Sequence, residues 1–346
     1  MTKKPASRDG SASAKRVRSA QPDGIRTTWK ESRLFCGPYP EQHKRFFGLE
    51  TLTSAVERLL NQHDRFLHAE LSAHLGPAPL STVSGDLLFE DANRLLFAVE
   101  AANRARKRVL LHVCVAKNHE ECSAALFKEF EALVRVYPRA PQQVLRPLRM
   151  GTVFLPDRYR RKHINREVRA YITEPAPGGP LYVASPNQLG PRGPRPVRFS
   201  IADTESLKLS LVRLAATCYD VDSGTGLDPA DLTANAVTLR KRTDGKPDLF
   251  LMHCPRLRRR LRPEQLIHRL LAGAFKSNRH ILPLAPVDPE RFVESLADGA
   301  SPPVARAWCR AFLGSVRKAG ADQDESLPGR AYLAQLAECA QASRGE

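Results

Sequence analysis

Three short strand-forming runs stand close together in the chain, Asp86-Leu-Leu-Phe89, Arg94-Leu-Leu-Phe-Ala-Val99 and Val109-Leu-Leu-His-Val-Cys-Val115, and they limit its possible folds more than any other feature. Runs of this length with polar connections suit an antiparallel meander, whose apolar face needs a cover. The cover follows at once. Leu126, Phe130, Leu133, Val134 and Tyr137 recur at helical spacing in a segment that begins near Cys122 and ends at Pro138. Two further strand-like runs lie around Val144-Leu145 and over Val168-Arg-Ala-Tyr-Ile-Thr173, before Pro177-Gly-Gly-Pro180 breaks the chain.

The second half reads as mostly helical. Leu207, Leu211, Leu214, Ala215 and Cys218 mark an amphipathic helix, and Ala236-Val-Thr-Leu239 and Leu249-Phe-Leu-Met252 flank Asp244-Gly245 as a hairpin would. Helical patterns then hold Leu266, Ile267, Leu270, Leu271 and Phe275, later 304–313, and finally 332–339. Upstream, residues 1–40 are rich in Lys, Arg, Ser, Gly and Pro without apolar periodicity and read as a disordered basic arm. A helical extension over 41–83 carries Leu49, Leu52, Val56, Leu59 and Leu60, then Phe66, Leu67, Leu71 and Leu75, and stops at Gly76-Pro77. The expected organisation is therefore arm, helical extension, a strand-rich lobe over 84–180 and a helical lobe over 181–346.

Charge and cysteine usage narrow the setting. The 54 Lys and Arg outnumber 37 Asp and Glu, for a net charge of +17, which favours an anionic partner: a membrane surface, a phosphorylated glycan or nucleic acid. Seven cysteines without a Cys-x-x-Cys pair argue against a disulfide framework or a zinc site. No apolar run approaches a bilayer span and no signal-type apolar stretch follows the basic start, so a cytoplasmic location is expected, with peripheral contact at the inner face of a membrane as a variant.

The order of elements and several local motifs resemble the protein-kinase-like superfamily, closest to bacterial lipopolysaccharide and small-molecule kinases. Val113-Cys-Val-Ala-Lys117 resembles the strand ending in the nucleotide-binding lysine, and Glu129 the helix glutamate that holds it. Arg169-Ala-Tyr-Ile-Thr-Glu174 with Pro175-Ala-Pro-Gly-Gly179 is similar to the strand and hinge that meet an adenine edge. Leu227-Asp-Pro-Ala-Asp231-Leu-Thr-Ala-Asn235 resembles a catalytic loop. The resemblance implies an α+β, two-lobed fold with an antiparallel five-stranded N-lobe and a mainly helical C-lobe. It implies ATP as cofactor, Lys117, Glu129 and Glu174 around the nucleotide, and Asp231 and Asn235 in catalysis.

The departures bear on activity. The family's asparagine falls five residues after the aspartate, where this chain has Ala236, so Asn235 is one residue early. Met252-His253-Cys254-Pro255 replaces the metal-binding Asp-Phe-Gly, and histidine is a poor magnesium ligand. Glu90-Asp-Ala-Asn-Arg94 replaces the Gly-rich loop, with carboxylates where phosphates would lie. Because phosphoryl transfer rests on positioning and charge stabilisation, these losses favour a catalytically impaired pseudokinase with a regulatory or scaffolding role and make magnesium doubtful. An active lipopolysaccharide or sugar kinase and a basic nucleic-acid-binding protein remain the alternatives. His253 reads as structural. Two arginine clusters, Arg256-Leu-Arg-Arg-Arg-Leu-Arg262 and the residues Arg146, Arg149, Arg158, Arg160, Arg161, Lys162 and Arg166, read either as anion-binding surfaces or as solvated loops.

Overall fold

The computed structural model describes residues 17–20, 25–35, 57, 58, 60, 66–90, 93–117, 120–159, 162–178, 181–185, 188–191, 201–233, 236–241, 247–254, 256–274, 287–318 and 330–342. Strands β3 (Leu80–Glu90), β4 (Arg94–Asn103) and β5 (Arg108–Ala116) form the expected meander, each antiparallel to the next. Helix α2 (Glu120–Val136) follows; Cys122, Leu126, Leu133 and Val136 lie on its buried stripe, and so does Glu129. Glu120 and Glu121 in its first turn and Arg135 in its last complement the helix dipole.

The sheet is larger than expected and mixed. Among the described residues it has seven strands in place of five, in the order β1 (Val17–Ala20), β2 (Arg26–Phe35), β3, β4, β5, β7 (Lys162–Thr173), β6 (Pro147–Tyr159). Two extra strands, β1 (Val17–Ala20) and β2 (Arg26–Phe35), come from the segment expected to be a disordered arm. β2 runs parallel to β3, which corrects the all-antiparallel expectation. What apolar periodicity could not reveal is anchorage by a few large residues. Trp29 is buried over Gly85, its register partner in β3, and its Nε1 donates to Glu57 Oε1 at 3.2 Å. A Cβ on Gly85 would lie 1.6 Å from the Trp29 ring. Gly85→Ala should therefore lower stability by about 1–3 kcal/mol through overpacking, read from the urea midpoint. An unchanged midpoint would show that the indole does not hold this position.

The other edge is the hairpin of β6 (Pro147–Tyr159) and β7 (Lys162–Thr173). Val144 and Leu145, read as strand residues, instead tie the sheet to the second half of the chain: Leu145 N–H donates to Leu251 O at 2.9 Å, and Leu251 N–H to Gln143 O at 2.7 Å. Arg149, Arg158, Lys162 and Arg166, expected between two strands, belong to the hairpin itself.

Beyond the sheet come the pair β8 (Leu181–Ser185) and β9 (Gln188–Pro191), helix α3 (Ile201–Thr217), and β10 (Gly226–Leu227), which pairs with β13 (Leu257–Arg258). The expected hairpin is β11 (Val237–Lys241) with β12 (Pro247–Leu251); its turn lies outside the described residues. Ser210 on α3 accepts from Leu249 N–H at 2.8 Å and donates to Asp248, and Arg213 Nη2 reaches Asp248 Oδ1 at 2.7 Å, fastening hairpin to helix. Helices α4 (Pro263–Leu271), α5 (Pro289–Ala300), α6 (Pro302–Lys318) and α7 (Arg330–Ala342) complete the chain. Pro263 and Pro289 open two of them at the first turn, where a missing N–H costs nothing. Among the described residues no helix is long and apolar enough to cross a membrane.

Helix α1 (Phe66–Leu75) covers one face of the sheet and α2 the other. Gly151 of β6 meets the Phe66 ring on the first face, whereas Tyr171 of β7 packs against Phe130 of α2 on the second, with ring centroids 5.6 Å apart.

Candidate functional site beneath the sheet

Strand register decides which side chains can meet, because directly opposed residues share a face and neighbours along a strand alternate. Arg94 opposes Ala116, Leu96 opposes Cys114, and Cys114 opposes Tyr171. These stand on the α2 face. Val115 opposes Leu95 and Ala170, and Ala170 opposes Gly151, so Val115 stands on the α1 face. By the same alternation Lys117 falls with Val115, away from α2.

Lys117 accordingly does not meet Glu129. Its Nζ pairs with Glu90 Oε1 at 2.7 Å, with both side chains about 95% buried, and its backbone N–H donates to Asn93 O at 2.9 Å. Reading Val113-Cys-Val-Ala-Lys117 as a helix-facing lysine is off by one residue, and in a strand one residue exchanges the faces. The cation that does meet Glu129 comes from the neighbouring strand: Arg94 donates to Glu129 Oε2.

Glu129 is the centre of a buried network. Tyr171 Oη donates to its Oε1, and His253 Nδ1, at the end of β12, lies 3.1 Å from the same oxygen. A carboxylate can only accept, so His253 carries its Nδ1 proton toward Glu129. Tyr171 Oη and His253 Nδ1 are 3.2 Å apart. Burial opposes ionisation of Glu129, but Arg94, His253 and Tyr171 outweigh it and bring its pKa down to about 2. Burial, with Cys114 and Glu129 beside it, pushes the Tyr171 hydroxyl well up. His253 was read as structural; it joins the hairpin to both α2 and the sheet.

A second histidine lies on the same face. His112 opposes Thr173, and its Nδ1 accepts from Ala176 N–H at 3.4 Å. Burial, with His253 nearby, holds its pKa down to about 4, so at neutral pH the ring is uncharged and accepts through Nδ1. Pro175 and Pro177 flank Ala176, so this is the one amide N–H of that tripeptide. Glu174, expected near an adenine, instead pairs with Arg146 at 3.1 Å, both side chains being half exposed.

The loop after β10 holds the third cluster. Asp228 is fully buried: Oδ1 accepts from Ala230 N–H at 3.0 Å, and Oδ2 accepts from Arg258 Nε at 3.0 Å and Arg269 Nη1 at 2.5 Å. Asp231 is partly exposed, and Arg258 meets both its oxygens, Nε to Oδ2 at 3.0 Å and Nη2 to Oδ1 at 3.3 Å. Hydrogen bonds and charge from Asp231 raise the Arg258 pKa further, so this fork stays charged. Asn235 lies outside the described residues. Ala236 O accepts from both Met252 N–H at 2.8 Å and His253 N–H at 3.1 Å, which joins this loop to the end of β12.

The structure thus brings Glu129 and His253 together, leaves Lys117 on the opposite face, and ties Asp231 to an arginine. Arg94, His112, Tyr171, Asp228 and Arg269 were not singled out from sequence. For Arg94 a signal was present, a charged residue opening the apolar run Leu95-Leu96-Phe97. Among the described residues no group of three or more His, Cys, Asp or Glu side chains could hold a metal ion. Comparison with protein-family models and with curated protein sequences finds no match to this chain.

Proposed function

We propose that the chain is a kinase-like protein whose nucleotide cleft is filled by its own side chains, and that it acts as a scaffold or regulator without transferring phosphate. The observation that carries this reading is Glu129, whose carboxylate is engaged by Arg94, Tyr171 and His253, with Lys117 turned to the other face of the sheet. In that frame His112 takes the hinge amide that an adenine would use, and Arg258 grips the aspartate that a substrate hydroxyl would approach. Supporting the frame itself are the order of elements and two tertiary pairings: β10 with β13 across the proposed catalytic loop, and the α2–β6 connection tied to β12. A nucleotide would have to displace buried ion pairs whose separated charges are costly to leave in a low-dielectric interior.

Thermal melting with ATP tests the proposal. At about 1 mM ATP, with and without magnesium, the melting temperature should move by less than about 1 °C, since ligand stabilisation requires a concentration well above Kd. Magnesium-dependent stabilisation of several degrees would overturn the reading in favour of an active kinase. Asp231→Ala would then be the variant to assay for transfer from labelled ATP.

A further inference from the structure

Helix α2 buries one side against the sheet and leaves its flank toward the edge strand β6 half open. Phe127, Phe130, Val134 and Tyr137 follow one another at three- and four-residue steps, the spacing of a helix that packs along a second helix. Phe130 and Tyr137 are half-buried, whereas Phe127 and Val134 are 40% and 48% exposed. Strand register places this flank. Arg169 of β7 lies over the Phe127 ring at 5.5 Å, and Phe154, 46% exposed, stands on the same face of the sheet two residues beyond Thr152, which opposes Arg169. Three of the five large apolar side chains exposed among the described residues thus fall on one flank, a grouping that marks an interaction surface where scattered single residues would not.

Charge selects the occupant. The chain carries +17, yet the exposed charged residues here are Glu120, Glu121 and Glu131 against Lys128 and Arg135 on α2, with Glu167 and Arg169 on β7. Acids slightly outnumber bases, so a polyanion such as nucleic acid or an acidic lipid surface finds no attraction on this flank. A second copy of the chain does. Two strongly basic molecules repel wherever their basic surfaces meet, and they approach closely only across a patch whose charge is locally balanced. Lys128, Glu131 and Arg135 enter no ion pair among the described residues. Glu131 precedes Arg135 by about one helical turn, so when two α2 helices lie antiparallel about a two-fold axis, each Glu131 comes opposite Arg135 of the second copy and the pairing occurs twice.

We propose that the chain forms a two-fold homodimer through the β6-side flank of α2, with Phe127 and Val134 of the two copies packed together and each Glu131 paired with Arg135 of the second copy. Ser123, near the start of α2, accepts from Arg169 N–H at 3.2 Å, so Phe154 lies toward that end of the helix, where an antiparallel arrangement brings the C-terminal end of the second copy's α2. The inference does not depend on the kinase-like reading, and Glu129, on the buried side of the same helix, keeps its own partners. The 17 residues of α2 span about 25 Å, so the contact falls at the small end of specific interfaces and association is expected in the micromolar range.

The test is sedimentation velocity of the full chain from about 1 to about 100 µM, at roughly 0.15 M salt to screen long-range repulsion. The parent should pass from monomer toward dimer across that range. Phe127→Asp/Val134→Asp should remain monomeric at about 100 µM, with a melting temperature within about 2 °C of the parent. Glu131→Arg alone and Arg135→Glu alone each set like charges opposite one another and should raise the dissociation constant about tenfold. Glu131→Arg/Arg135→Glu together should return it to within about threefold of the parent. Both positions are exposed, so the charge variants keep the fold and decide the matter even where the aspartate pair lowers the melting temperature. A parent that stays monomeric at about 100 µM would overturn the proposal. So would an undiminished dimer in the aspartate variant, or a double charge exchange that associates as weakly as the single ones.

Discussion

Glu129→Ala should lower the unfolding free energy by about 3–5 kcal/mol, the range expected when one member of a buried ion pair is removed. The carboxylate is about 95% buried, and three groups from three other elements converge on it: Arg94 from β4, Tyr171 from β7 and His253 after β12. Its loss would leave the Arg94 guanidinium in an apolar setting without its acid, and the tyrosine and histidine without a shared acceptor. The network also spans the sheet and the β11–β12 hairpin, so the damage should appear in both. Hydrogen exchange should increase in β7 and β12 together. The pair Arg94→Met/Glu129→Leu, which removes both charges and keeps the volume, should recover most of the loss. If Glu129→Ala alone melts within about 1 kcal/mol of the parent, the ion pair is not buried in solution, and the filled-cleft reading loses its main support.

Acid should expose a second weakness. His112 has its pKa lowered from 6.5 to about 4 by burial and by the neighbouring His253. Between those values the unfolded chain binds a proton that the folded chain does not. Stability is therefore intact above pH 6.5, falls as the pH drops from 6.5 toward 4, and the loss levels off below 4 at about 3 kcal/mol. Glu129, brought down to about 2 from 4.5, adds a separate loss that begins near pH 4.5 and continues toward 2. His112→Gln keeps an acceptor for Ala176 N–H and has nothing to titrate. Urea midpoints between pH 7 and 4.5 should flatten in this variant relative to the parent, while the steeper fall below pH 4.5 remains. A parent profile already flat from pH 7 to 4.5 would remove His112 from the account.

The elements legible in the sequence are those with a strong period. The meander, α2, α3, the β11–β12 hairpin and α4 all follow apolar patterns and end at proline or at loop residues. What escaped notice rests on other information. β2 is held by one tryptophan over a glycine and by Glu57, contacts between residues 28 and 56 positions apart, which no local window contains. The end of strand β6 and the first half of β7 are dense in basic residues, and a charged strand at a sheet edge looks like a loop when only hydrophobicity is followed, whereas Val168–Thr173 of β7 is legible as a strand. At the site the decisive error was parity. Lys117 carries the right chemistry at the right distance along the chain, but the last residues of β5 alternate so that Ala116, not Lys117, shares the face of Arg94 and Tyr171. No composition argument can see that, because it depends on which face the strand turns toward its helix. Asp228 was passed over for Asp231 because Asp231 opens the better motif; burial and two arginine partners distinguish Asp228 only once the fold is formed.

β2 lies parallel to β3, and such a pair needs a crossover connection, in which α1 stands between the two strands in the chain. Phe66, Leu67, Leu71 and Leu75 then close the face that carries Lys117 and Glu90. Strands β1 and β2 and helix α1 are thus structural members of the sheet that follows, and a fragment starting at the meander would present a bare greasy surface to its neighbours.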